Sequence, residues 1–273
     1  MAGANQTQVA GLRLPGLGII AGLLATAAQV WAGRPLTTDD AGTVAPGDFE
    51  FEAGVVLHRD SGRHDYESPF GVTAGLLSML EAGIGFGSAI QEREEATGTD
   101  VISGVGDLAI GAKWNPLPEE DHWLSHALSF TAKLPTASRN KGIGTGKADF
   151  DLTYIGSKTL SDTLSAHLNV GYTWTGDPSS GEEPDIFHLG LAAGWFVIPE
   201  LELVAEVFAD FPESRADDAV TRLNCGLRWS VHEKLILDAA VGTKLQNDAP
   251  DLTATLGLTW VWEAFPRNGS GSR

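Results

Sequence analysis

The chain has 273 residues, and its 18 Lys+Arg against 36 Asp+Glu give a formal net charge of −18. So acidic a chain lacks the basic surface that nucleic-acid binding needs, so no nucleic-acid partner is expected. At 42% hydrophobic and 20% charged it is too apolar for a disordered acidic chain, and its one cysteine, Cys225, excludes an intramolecular disulfide framework and a multi-cysteine zinc site.

Residues 1–32 read as a secretory signal peptide. Arg13 precedes the apolar run Leu17 to Ala28, and Val30 and Ala32 stand at −3 and −1 of a cleavage site before Gly33. The run is too short for a transmembrane helix, and no longer one follows. If the mature protein sits in a membrane, it does so as a closed barrel. Residues 33–46 carry no strand pattern. Thr37, Thr38, Asp39 and Asp40 make them either a small plug at the periplasmic mouth or a plain tether.

From residue 47 to 262 the chain alternates with a period of two, the strand period. Phe49, Phe51, Ala53, Val55 and Leu57 oppose Glu50 and Glu52. The pattern returns at Phe70–Leu76, Leu80–Phe86, Leu108–Trp114, Leu128–Leu134 and Phe150–Tyr154. It continues at Leu164–Trp174, Phe187–Trp195, Leu201–Phe211, Leu223–Trp229, Leu235–Val241 and Leu252–Trp262. These 12 segments have the length a tilted strand needs to cross a bilayer. The apolar face is continuous, the other is Gly, Ser, Thr and charge, and aromatic residues collect near the segment ends, as in an interfacial girdle. Odd-numbered links are long (59–66, 91–105, 135–147, 176–185, 212–218, 244–250) and most even ones short. The predicted fold is therefore all-β: a 12-stranded antiparallel outer-membrane β-barrel, both termini periplasmic, with residues 263–273 as a tail. A soluble periplasmic all-β binding protein is the weaker alternative.

By phase, Glu50, Glu52, Glu81, Asp107, Asp149, Asp151, Glu202, Glu206 and Asp238 face inward, with Lys113, Lys133, Arg222 and Arg228. An acidic lumen concentrates cations if it is open. Twelve strands also make a barrel narrow enough for side chains to fill it. Both alternatives stand at this point. The candidates for solute contact are Asp107, Lys113, Lys133, Asp149, Asp151, Glu202, Glu206, Arg222 and Arg228. Asp107 and Lys113 either line a constriction or join Arg222, Arg228, Asp149 and Asp151 in one shape-fixing ion-pair network.

Three stretches carry a family resemblance. They are Arg34-Pro-Leu-Thr-Thr-Asp-Asp-Ala-Gly-Thr43, Gly104-Val-Gly-Asp-Leu-Ala-Ile-Gly-Ala-Lys-Trp114, and Lys133-Leu-Pro-Thr136 followed by Gly142-Ile-Gly-Thr-Gly146 and Asp149-Phe-Asp151. They resemble the outer-membrane transporter family labelled "MetA-pathway of phenol degradation". Ala137 stands where that family commonly has Gly, and the chain runs on past Trp262 where such barrels stop at an aromatic. The resemblance implies a channel for passive or facilitated uptake of small solutes, aromatic or hydrophobic ones among them. A side-chain-filled structural barrel without a pore is the alternative. The partners implied are outer-membrane lipid of a Gram-negative-type bacterium, a small-molecule solute, and the barrel-assembly machinery during biogenesis.

Enzymatic chemistry is not expected. His126 points away from both Ser125 and Ser129 by strand phase, and His167 has no serine and orienting group predicted beside it. The seven histidines lack metal-ligand spacing, so neither metal nor cofactor is expected. The loop Asn140 to Gly146 is Gly-rich but lacks P-loop spacing and leads into a strand, and reads as a mobile outer loop.

Overall fold

The computed structural model describes residues 33–60, 63–95, 98–141, 143–176, 185–213, 219–246 and 250–263. The expected signal peptide and all of the tail but Glu263 lie outside the described residues.

The strands are β1 (Asp48–Asp60), β2 (Arg63–Leu77), β3 (Leu80–Glu95), β4 (Gly98–Val105), β5 (Leu108–Leu117), β6 (Ser125–Leu134) and β7 (Asp149–Ser161). Then follow β8 (Leu164–Trp174), β9 (Ile186–Ile198), β10 (Leu201–Pro212), β11 (Val220–His232), β12 (Leu235–Gln246) and β13 (Leu252–Glu263). Except for β4 and β5, which both pair with β3, strands adjacent in sequence pair antiparallel. The sheet closes where β1 meets β13, from Asp48 opposite Glu263 to Arg59 opposite Leu252. The β4 and β5 strands are two halves of one stave: β5 pairs the first part of β3, and β4 pairs residues 88–95. The stave breaks at Gly106 and Asp107, where the Gly106 amide turns to donate to the Gly87 carbonyl, 2.7 Å away. The barrel thus has 12 staves.

Two links expected as long loops are largely strand. Residues 59–66 and 91–105 continue β1–β2 and β3–β4 as hairpins that rise past the rest of the wall. Their alternation is weak because charge occupies both faces there, as in Arg59-Asp60, so hydrophobic phase does not reveal strands that ladder hydrogen bonds extend beyond the lipid.

The phase settles what surrounds the barrel. Leu256 is 66% exposed and Leu191 55%, while Glu206 is 2% and Asp238 4% exposed. A water-soluble barrel has the reverse arrangement. No helix among the described residues is long and apolar enough to span a membrane, so the strands do the spanning. Two aromatic belts bound the apolar zone. One contains Phe49, Trp195, Trp229, Trp260 and Trp262, with Phe49 and Trp262 stacked at 5.7 Å. The other contains Phe150, Trp174, Phe187 and Phe211, with the rings of Phe187 and Phe211 5.9 Å apart. Along β10 the belts are ten residues apart, Leu201 opposite Trp229 and Phe211 opposite Phe187. At a rise of roughly 3.3 Å per residue and a tilt of about 40°, this separation is about 25 Å, the height of an outer-membrane apolar band.

Candidate functional site: a threaded lumen

Residues 33–46 run inside the barrel, and the wall is built to hold them. Gly47, at φ +84°, turns the chain from this segment into β1. Its amide donates to the Gly75 carbonyl at 2.9 Å.

The segment is held by its backbone. Glu206 of β10 accepts the Thr37 amide at 2.9 Å and the Thr38 amide at 2.7 Å. Asn169 of β8 accepts the Asp39 amide and donates to the Asp39 carbonyl, each at 2.8 Å. Ser157 of β7 accepts the Ala41 amide at 2.8 Å, Asn115 of β5 donates to the Ala41 carbonyl at 2.7 Å, and Glu81 of β3 accepts the Val44 amide at 2.6 Å. Arg228 of β11 donates to the carbonyls of Gly33 and Arg34 at 2.5 Å. Buried backbone polar groups must be paired, and here the barrel wall pairs them.

Side chains complete the docking. The Arg34 guanidinium meets Asp238 at 3.2 Å and Thr255 at 3.0 Å. It lies over Gly54 and Gly257, which face each other across β1 and β13; a Cβ on either would overlap it. Gly75 and Gly190 make the same room for the backbone at Val44 and Ala45 and for Thr38. Part of the glycine-rich inner face is thus the imprint of an internal chain. Leu36 packs on Ala192 and Val204, and Ala41 on Ala127 and Ile155. These wall residues are apolar at inward positions, where the alternation calls for polar ones.

Lys113 reaches Asp39 at 3.0 Å and Glu81 at 3.4 Å, tying the segment to two strands. Burial, partly offset by Lys113, raises the pKa of Asp39 to about 6. Burial also raises that of Asp40, but Lys113, His167, the Gly42 amide and Arg228 outweigh it and hold the carboxyl below the ordinary range.

The other candidate residues form separate clusters rather than one network. Lys133 pairs with Asp149 and lies 3.7 Å from Asp107. Asp107 also accepts the Ala137 amide at 2.7 Å, which fastens the loop after β6 to the break between β4 and β5. Asp151 takes His188 at 2.8 Å and the hydroxyls of Thr153 and Thr173 at 2.7 Å. Arg222 pairs with Asp210 at 2.7 Å, and Arg228 with Glu202 at 3.0 Å. Lys113 therefore does not join Arg222, Asp149 or Asp151: strand register places it opposite Glu81 and Ser129, and the threaded segment lies between it and the far wall. The loop after β6 folds into the outer mouth, with Ile143 against Gly104 and Lys141 donating to the Ser103 carbonyl at 3.2 Å.

Sequence reading did not anticipate Arg34, Asn115, Ser157 or Asn169 as docking groups. The usable signal was apolar residues out of phase, such as Val204, Phe208 and Ile155. It also missed that strand pairing carries His167 between Ser157 (2.9 Å) and Ser165 (3.1 Å). The Ser157 oxygen is taken up by the Ala41 amide, so this trio holds the segment. His126 meets Tyr154 at 2.6 Å, not a serine. No metal-competent cluster occurs among the described residues.

A closed 12-stave barrel with lipid outside and a polar, internally threaded lumen defines a class, the outer-membrane β-barrels. More particularly, the sequence matches the family described as "Putative MetA-pathway of phenol degradation" over residues 32–261, and the chain belongs to it. No curated protein matches the sequence. Among solved structures, an outer-membrane channel from Pseudomonas putida F1 superposes with a TM-score of 0.66 at 16% identity, covering 82% of this chain and 98% of that one. The NanC porin gives 0.54 at 10% identity, covering 78% and 98%, and the KdgM porin 0.52 at 9% identity, with the same coverage. At these identities the likeness shows the fold.

Proposed function

We propose that the protein is an outer-membrane channel for passive or facilitated uptake of small solutes, hydrophobic and aromatic ones among them, and that residues 33–46 set its constriction. One observation carries this reading: a lumen of polar and charged groups, enclosed by a lipid-facing wall, with a chain segment docked across it instead of a packed apolar core. The structures it superposes on bear channel and porin names, which supports transport over catalysis. Family membership supports the small-solute class. Lys113 and Glu206 line the constriction by holding the segment, while Arg222 and Asp151 lie above it, on the outer side. Asp107, Lys133 and Asp149 line the outer mouth beside the infolded loop. Residues 1–32 serve as the export signal, and the barrel-assembly machinery inserts the chain.

The filled barrel without a pore is a second reading, favoured by how completely the segment's backbone is paired. Proteoliposome swelling separates the two. Uptake of small uncharged solutes by the wild type supports the channel, and swelling no faster than in protein-free vesicles, for every solute, supports the filled barrel.

A further inference from the structure

The threaded segment leaves one side of the lumen open above it. Pro35, Leu36 and Thr37 form the floor of a pocket whose wall comes from β1, β2 and β11–β13. Its cavity volume is about 50 Å³, and it opens to solvent. Leu36, Val56 and Pro69 give it an apolar side. Two polar groups that also line it are incompletely used. The Arg222 guanidinium spends Nη2 on Asp210, 2.7 Å away, and lies over the Phe208 ring at 5.3 Å, while its buried Nε–H has no acceptor among the described residues. The His58 ring spends Nδ1 on the Thr253 hydroxyl at 3.1 Å. Its buried Nε2 has no hydrogen bond among the described residues and lies 3.8 Å from the Glu67 carboxylate, beyond bonding reach.

The strand register makes the space. His58, Thr253, Gly242 and Asn224 form one inward row across β1, β13, β12 and β11. Gly242 has no Cβ, and any side chain there would strike the Asn224 amide, which is turned down to Glu206 at 2.6 Å. Gly242 thus lets the Asn224 amide fold against the wall and away from the two unused groups.

The geometry points to a binding site for a small uncharged molecule with an apolar body and a hydroxyl head. An unused donor and an unused acceptor in a buried pocket are costly unless a ligand or water satisfies them. With the His58 ring proton on Nδ1, donated to the Thr253 hydroxyl, Nε2 is an acceptor. A hydroxyl oxygen then accepts from Arg222 Nε–H and its hydrogen is donated to His58 Nε2, a pairing that a carboxylate or a plain hydrocarbon cannot complete. An anion is further disfavoured, since Asp210 already neutralises Arg222 and Glu67 stands beside His58. The apolar body then lies on Leu36, Val56 and Pro69. This site rests on the channel reading only for its route, because it is open toward the outer mouth and its floor is the segment that closes the way beyond.

The test uses the full-length folded barrel in detergent and fluorine NMR with three probes: 4-fluorophenol, fluorobenzene and 4-fluorobenzoate. Subtracting the signal of empty micelles removes partitioning. Saturable binding of 4-fluorophenol is expected, with fluorobenzene and 4-fluorobenzoate at least tenfold weaker. His58→Phe and Arg222→Met should each weaken 4-fluorophenol about tenfold, with the folded gel mobility unchanged. Should Arg222→Met not fold, Leu36→Asp, which places a carboxylate against the probe's ring, replaces it and should abolish saturation. Equal binding of fluorobenzene, tighter binding of 4-fluorobenzoate, indifference to the substitutions, or no saturation in the wild type would each overturn the site. Influx of 4-fluorophenol into proteoliposomes is read in parallel: if it persists in the variants at the wild-type rate, the pocket is wrong while the channel stands, and if the wild type itself gives none, the channel reading fails.

Discussion

Glu206 shows how much a single residue decides in this lumen. It is almost fully buried, accepts two successive backbone amides of the threaded segment, and takes a third bond from Asn224. Hydrogen bonds to a charged group are worth about 1.5–3 kcal/mol each, so Glu206→Ala should weaken docking by about 3 kcal/mol or more. Backbone amide exchange at Thr37 and Thr38 should accelerate by two orders of magnitude or more, while that of the β10–β11 ladder stays slow. Equal acceleration of both would mean that the residue supports the barrel and not the segment. The paired carboxylates Asp39 and Asp40 give the docking a pH profile. A carboxyl whose pKa is raised on docking contributes stability that is fully present below its ordinary value near 4 and is lost as pH rises through about 6, which is the case of Asp39. Asp40 is held low, so its contribution is present above the ordinary range and disappears on acidification. Docking should therefore be tightest near pH 4 and weaken as pH rises to about 6, and Asp39→Asn should flatten that limb. A segment-protection profile in which that limb survives the substitution would contradict the assignment.

Strands and the segment threaded among them form the next layer of structure. Gly54 and Gly257 are opposed across the β1–β13 seam and receive Arg34. Gly257→Val should expel the guanidinium and resemble Arg34→Met in every property of the segment, and combining the two should add little, because both remove one interaction. Additive effects on periplasmic protease cleavage within residues 33–46 would show that the glycine has a separate role. Much of this layer was legible in the sequence. The period of two gives every spanning strand, and the inward phase of Glu81, Lys113, Glu202, Glu206 and Asp238 follows from it. The outer hairpins were illegible because strands outside lipid need no apolar face. Segment docking was illegible for another reason: it pairs a chain with no period, Gly33 to Pro46, with wall residues far away in sequence, and nothing local in Arg34 points to Asp238. Val204, Phe208 and Ile155 did record it, as apolar residues on a face that should be polar.

For the whole molecule, the inverted arrangement of apolar and polar residues is decisive. A charge placed on the lipid face near the midplane should be expensive, about 2–4 kcal/mol for Arg. Leu256→Arg should therefore lower the urea midpoint of the folded band, while Gln246→Arg, at the exposed outer end of β12 in inward phase, should leave it nearly unchanged. Similar losses from both would argue against lipid on that side. Two properties define the molecule: the barrel spans a membrane, and residues 33–46 restrict the way through it. Planar-bilayer recording of the intact mature chain beside a variant lacking residues 33–46 tests both together. Small or rare conductance steps are expected from the first and large, cation-biased steps from the second. Identical steps from the two, or silence from the shortened barrel once it is shown to be folded and inserted, would contradict this.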